Sequence, residues 1–313
     1  MSTTLTAVAA YLPETEFTLE EAAEVLGLSD QELKRYRRFF GLDRVRWAPQ
    51  ARQADLLVEA LRRLPDLDAH RSRIRYAVHA RTIEPTGPYA AQPLHEALAA
   101  VGLGHVQAFA ISQHACASGL LSVDLAGRLL TADGDPDALV LVLTGEKTYP
   151  HVARFMPAAM VMGESSAACL VGLDGARDRV LAYTTRTFGE FHAITARSGP
   201  LAAQFEQMYI PALADLITDT VAAAAAGLTL ADLRLVLPHN VNRISWTRLG
   251  RLLDLPLDRL MLDNIARTGH CFCADPFINY VRALELGLLR PGDHYLMASV
   301  GLGATFSAML LRH

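Results

Sequence analysis

The sequence predicts an α/β fold. Short apolar strands alternate with longer helical stretches along the whole chain. Within that alternation, Ala138–Thr144 is an uninterrupted apolar run of the kind buried on both faces of a sheet. Composition bounds the answer: 313 residues, 51% hydrophobic and 20% charged, with a formal net charge of −4, exclude intrinsic disorder. The length suits one large domain or two half-size ones.

The elements follow in order. Phe17–Gly27 reads as a helix opened by Thr18, with Glu20 and Glu21 in its first turn and Gly27 closing it. Ser29–Phe40 is a second helix, with Ser29 and Glu32 spaced as a capping box. Ala51–Arg63 is a third. Arg75–Ala80 reads as a strand, Pro93–Val101 as a helix, Val106–Ser112 as a strand and Leu120–Leu130 as a helix, followed by the strand Ala138–Thr144. Ala167–Leu173 and Val180–Thr185 are strands, and Ala202–Ala226 is a long helix ended by Gly227. Leu233–Leu237 is a strand, Ile244–Leu253 and Asp275–Leu286 are helices, and Tyr295–Ser299 and Thr305–Leu311 are final strands. The turn at Asp174-Gly175 divides this series into halves 1–173 and 174–313.

Several classes of function are disfavoured. A net charge of −4 argues against nucleic-acid binding through bulk positive charge. Apolar runs such as Val221–Leu228 stop short of the roughly 18 residues a membrane span needs. The opening residues lack a basic stretch followed by an apolar one, so the expected location is cytoplasmic. Four cysteines are too few for a disulfide scaffold, and Cys271-Phe-Cys273 has one intervening residue where zinc ligand pairs have two to four, so no metal is expected.

One cysteine stands in a special setting. Around Cys116 (AISQHACASGLL) an apolar strand runs into small residues, and a helix starts at or just after the thiol. A helix N-terminus favours thiolate, and the small neighbours leave room for a substrate. A small core cysteine is the competing reading. A thiol nucleophile needs a base within reach, and two histidines downstream are placed to supply one. His239 follows the strand Leu233–Pro238, and His270 lies in a tight Gly-His turn.

Order and spacing of these segments resemble the ketoacyl-ACP synthase III group of the thiolase superfamily over nearly the whole chain. Tyr11–Glu14 resembles its opening loop, Phe40–Arg46 its glycine-and-arginine segment, and Ala115–Gly119 (ACASG) its nucleophile motif. Gly163–Ala167 (GESSA) resembles its Gly-Asp-Gly-Ala stretch, His239–Asn242 (HNVN) its His-Gln-Ala-Asn, and Gly301–Thr305 (GLGAT) its last glycine-rich turn. Thr268-Gly-His270 stands where the family has Gly-Asn-Thr, so the third catalytic position is His270 in place of asparagine.

The resemblance implies a five-layered α-β-α-β-α thiolase fold built from two similar halves, and a homodimer. It implies that Cys116 is acylated by a thioester, that His239 and His270 complete the catalytic set, and that the N–H groups of Cys116 and Leu302 form an oxyanion hole. No cofactor is implied, acyl-CoA or acyl-ACP being substrates. Acyl carrier protein or coenzyme A would be steered by Arg243, Arg248 and Arg251; a second basic group spans Lys34–Arg52. Phe272 is expected to reshape the pocket beside His270, and Tyr89 resembles an aromatic that closes the partner's acyl pocket. Asp275 either orients His270 or caps the helix after it, capping being favoured because Pro276 suits a first helical turn. The first expectation for function is decarboxylative condensation with a malonyl thioester to a β-ketoacyl product. Transfer of the acyl group to O or N of a small-molecule acceptor is the alternative, and an inactive partner subunit the third.

Overall fold

The computed structural model describes residues 1–82, 91–148, 154–156, 159–192, 199–224 and 227–313, the side chain of Phe155 excepted. The N-terminal half runs β1 (Thr3–Tyr11), β2 (Glu16–Thr18), α1 (Leu19–Leu26), α2 (Asp30–Arg35), β3 (Arg44–Arg46), α3 (Gln53–Arg62) and α4 (Leu67–His70). It continues with β4 (Ile74–Ala80), α5 (Pro93–Ala100), β5 (Gln107–Ile111), α6 (Ser118–Asp133), β6 (Leu139–Glu146), β7 (Phe155–Met156), β8 (Met160–Val161) and β9 (Ser165–Leu173). After it come β10 (Arg179–Thr187), α7 (Pro200–Ala223), β11 (Leu233–Pro238), α8 (Arg243–Leu252), α9 (Ile265–Thr268), α10 (Asp275–Glu285), β12 (His294–Gly301) and β13 (Thr305–Arg312).

Nine strands join in the order β11-β12-β13-β10-β1-β9-β6-β4-β5. The join in the middle is narrow, since β1 and β10 pair only at Thr4 and Arg179. On either side the pattern repeats. Outward from the join, β1-β9-β6-β4 pair antiparallel, antiparallel and parallel, and β10-β13-β12-β11 do the same.

Side-chain alternation builds layers from these two half-sheets. On β6, Val140 and Val142 point to one face, while Leu139, Leu141 and Leu143 point to the other. The first face packs on α6 (Leu120, Val123, Leu130) and α10 (Phe277, Ile278, Ala283), and so do Leu235 and Leu237 of β11 and Met297 of β12. The outer face of the N-terminal half-sheet is covered by α3 and α5, and that of the C-terminal half-sheet by α7 and α8. Five layers result, with α6 and α10 in the middle. Ala115–Asp133, which includes α6, is long and apolar enough to cross a membrane. Its place between two sheets, 61% buried, accounts for that composition.

The expected Ser29–Glu32 capping box forms, the expected cap Thr18 closes a further one with Glu21, and Gly27 ends α1 at φ 67°. The second helix differs from expectation: after Arg35 it widens to a π-turn over Tyr36–Phe40, which ends at Gly41. β1 was not expected as a strand. Thr3, Thr4, Thr6, Val8 and Tyr11 favour strands, but the segment lacks a strict apolar–polar alternation, and pairing along β9 from Thr3 to Tyr11 makes it a strand.

A buried carboxylate anchors the start of β10. Asp178 accepts hydrogen bonds from the hydroxyls of Tyr280 (2.7 Å) and Tyr295 (2.9 Å) and pairs with Nδ1 of His313 (2.8 Å). Its φ of 53° suits Asp or Asn. Asp178→Asn keeps the backbone tolerance but loses the charge that serves three buried donors. An expected loss of about 2 kcal/mol is read from the urea midpoint at constant m-value.

Candidate active site

The site forms where the N-terminal ends of the two middle-layer helices meet. Each helix is preceded by one 3-10 turn whose first residue is left-handed: Ala115 (φ 46°) before Cys116, and Phe272 (φ 56°) before Cys273. The approach is close enough to require glycine. A methyl group on Gly119 would lie 2.9 Å from the Cys273 carbonyl oxygen, and one on Gly301 would lie 2.0 Å from that of His114. The glycine-rich turn that carries Leu302 therefore rests on the segment leading into Cys116, and the Ser299 hydroxyl donates to the Cys116 carbonyl at 2.9 Å.

Cys116 is 5% exposed, and its Sγ lies 3.2 Å from Nε2 of His270. On the other side of that ring, Nδ1 of His270 lies 2.5 Å from Oδ2 of Asp275. Asp275 is fully buried and also accepts from the N–H of Asn240 (2.5 Å), the Asn240 side-chain amide (3.1 Å) and the N–H of Cys271 (2.8 Å). Asn279 holds Asn240 in turn, at 2.9 Å.

This corrects the reading of Asp275 as a helix cap. Asp275 is the first residue of α10, and no side chain caps that helix. The donors that surround the carboxylate come from the two histidine-bearing segments, which turn it away from the helix end.

The two histidines have opposite character. Burial works against charge on His270, yet Asp275 and then Cys116 outweigh it and hold its pKa up to about 10. His239, 1% exposed, is pushed well below the usual imidazole range, first by burial and then by the charge on His270. It extends β11, its N–H bonding the Ala298 carbonyl at 3.0 Å, and its ring lies 5.8 Å from that of His270. Nε2 of His239 meets the hydroxyl of Tyr209, on α7, at 3.2 Å.

Of the other expected site residues, Phe272 is buried with its ring 5.7 Å from His270. Arg243, Arg248 and Arg251 are exposed on α8, and none forms an ion pair among the described residues. The basic group of residues 34–52 behaves differently. Within it Arg37 pairs with Glu20, Arg44 and Arg46 with Glu16, and Arg52 with Asp55 and Glu96, as on an ordinary solvated face, while Arg35 and Arg38 lie over the rings of Phe40 and Phe39. Tyr89 lies outside the described residues. Two motifs turn out to be scaffolding: Glu164 pairs with buried Lys147 and accepts from Ala48 and Thr148, and Asn242 caps α8. Thr82 and Tyr209 reach the site without any signal in the sequence, because neither lies near a motif. No group of three or more metal-ligating side chains occurs among the described residues.

Residues 223–313 match the family model for the C-terminal part of 3-oxoacyl-[acyl-carrier-protein] synthase III. A beta-ketoacyl-[acyl-carrier-protein] synthase III from Lactobacillus delbrueckii subsp. bulgaricus is 24% identical over 323 aligned positions, covering 96% of each chain. Among solved structures, the acyltransferase ChlB3 superposes with a TM-score of 0.86 at 20% identity, over 100% of this chain and 98% of that one. Synthase III from Thermus thermophilus gives 0.81 at 20% identity over 99% of each. The architecture is the thiolase fold. The chain is thus similar to ketoacyl-ACP synthase III along nearly its whole length, and these likenesses support an acyltransferase-type enzyme.

The raised pKa of His270 has a consequence for stability. A basic group lifted from 6.5 to about 10 by folding adds stability that is complete below pH 6.5 and lost as pH rises towards 10. Asp275→Asn removes the main cause. Denaturant titrations should show the wild type losing its advantage over the variant across that window.

Proposed function

We propose that the protein is an acyl-thioester-dependent transferase that forms an acyl-Cys116 intermediate and passes the acyl group to an oxygen or nitrogen nucleophile. The relay Cys116–His270–Asp275, with contacts of 3.2 and 2.5 Å, carries this reading. A protonated imidazole beside the sulfur favours its thiolate. The thiolate attacks the thioester carbonyl, the N–H groups of Cys116 and Leu302 receive the oxyanion, and the donor thiolate leaves with a proton from His270. Acylation removes the sulfur's charge, one of the two that hold the His270 proton. Nε2 of the resulting neutral imidazole, its Nδ1–H kept on Asp275, then takes the proton of the attacking hydroxyl or amine. Collapse of the second tetrahedral intermediate frees the Cys116 thiolate.

A specific observation favours a second reading, decarboxylative condensation with a malonyl thioester. His239 is kept neutral 5.8 Å from His270, so two imidazoles face the same space and could hold an enolate between them. Decarboxylation needs hydrogen-bond donors and no base, whereas an asparagine could not act as base at position 270. The Asp275 carboxylate on His270 moves the balance towards transfer.

The unpaired arginines of α8 support a phosphate-bearing donor, either coenzyme A or an acidic acyl carrier protein. The homodimer rests on the family resemblance, the cytoplasmic location on the opening residues, and the division at 173/174 on the Asp174-Gly175 turn.

Intact-mass analysis of protein incubated with short acyl-CoA is expected to show one acyl adduct on Cys116, absent in Cys116→Ala. Chasing that adduct with alcohols or amines should discharge it without release of carbon dioxide, and discharge in Asp275→Asn should be slower by about 10² or more. Discharge only by malonyl thioester, with carbon dioxide lost, would establish condensation instead.

A further inference from the structure

The nucleophile has a second hydrogen-bond partner that no motif supplies. Thr82 Oγ1 donates to Cys116 Sγ at 3.4 Å, and the same oxygen lies 3.4 Å from Cys273 Sγ. One hydroxyl thus bridges the two thiols that open α6 and α10.

Its position is set by the ends of three strands. The N–H of Arg81, just past β4, donates to the Ile111 carbonyl at the end of β5 (2.8 Å). The N–H of Thr82 donates to Oε2 of Glu146 at the end of β6 (2.8 Å), and Arg81 lies 3.9 Å from the same buried carboxylate. The branched side chain of Thr82 is stiff at χ1, so a fixed backbone fixes the hydroxyl.

We propose that Thr82 is a catalytic residue of the Cys116 reaction, its hydroxyl stabilising the thiolate as a second donor beside His270. A hydroxyl has a single proton, and the two sulfurs compete for it unequally. Cys273 is held as a neutral thiol by burial and then by the charges of Glu146 and Cys116. Its S–H has a better acceptor in the Ala115 carbonyl, 3.2 Å away. The Thr82 proton therefore goes to Cys116, the stronger acceptor whenever that sulfur is charged. When the acyl-enzyme forms, the acceptor is lost and the hydroxyl can turn to Cys273, which makes the bond specific to the free nucleophile. The inference deepens the acyl-Cys116 reading, but its test reads the free thiol and does not depend on turnover.

The experiment is alkylation of the full-length protein by iodoacetamide across a pH series, with peptide-resolved mass spectrometry reporting Cys116. Thr82→Val, which keeps shape and removes the donor, is expected to slow Cys116 alkylation at neutral pH about tenfold and to move the midpoint of the pH profile upward. Thr82→Ser, which restores the hydroxyl, is expected to recover both. Thr82→Ala is the second hydroxyl-free variant should the valine form not fold. Wild-type alkylation in the hydroxyl-free variants overturns the proposal. So does a defect that Thr82→Ser fails to repair, because the role would then be packing. Failure of acylation by every thioester, with the alkylation shift intact, would count against the proposed function and leave the role of Thr82 standing.

Discussion

The carboxylate of Asp275 is the contact on which the arrangement of the site depends. It sits fully buried and receives bonds from His270, Asn240 and Cys271. Those residues belong to the segment after β11, which carries His239, and to the turn before α10, which carries His270. A buried charge is expensive unless every lone pair is met. The cost of leaving it unmet is what keeps both segments in place. Without this carboxylate neither histidine has a fixed relation to the other, and His270 loses the larger of the two charges that hold its proton.

The same burial acts on the two histidines with opposite outcomes. Both are about 1% exposed, and desolvation opposes the charge on each. One has a carboxylate at 2.5 Å and keeps its proton; the other has a phenol and a positively charged neighbour and loses it. Unequal partners in equal burial therefore produce one acid–base group and one neutral imidazole within 5.8 Å. This division of roles suits a two-step reaction, in which a proton must be delivered in the first step and removed in the second.

The fold makes that meeting possible by repeating one device. In each half a left-handed residue, a cysteine and a helix N-terminus follow one another, and the middle layer brings the two copies together at Gly119. One copy supplies Cys116, the proposed nucleophile. In the other copy the equivalent cysteine is a neutral thiol bonded to the Ala115 carbonyl, while the histidine and aspartate on either side of it form the hydrogen-bonded pair beside Cys116. Two related units have become unequal through their side chains while the backbone turn was kept.

Much of this was legible in the residues. Helix caps are local, so Thr18 and the Ser29–Glu32 box could be read from spacing alone, and the uninterrupted apolar run Ala138–Thr144 announced a strand covered on both faces. The nucleophile and both histidines could be named because each lies in a short motif. β1 could not, because Leu5–Tyr11 lacks a strict apolar–polar alternation and its place is set by pairing along β9. The direction in which Asp275 turns was equally hidden. From sequence it had a helix end one residue away and a histidine five residues away, and the nearer partner looked better. Only the folded chain brings Asn240, 35 positions distant, onto the same carboxylate. Thr82 and Tyr209 were invisible for the same reason, lying 34 positions from Cys116 and 30 from His239. Sequence by itself determined the α/β class, the order of most elements and the candidate reactive groups, because those depend on local periodicity and chemistry. Tertiary structure alone decided which of those groups share a proton, because hydrogen bonds of about 3 Å between distant residues exist only after the two half-sheets close on the middle layer.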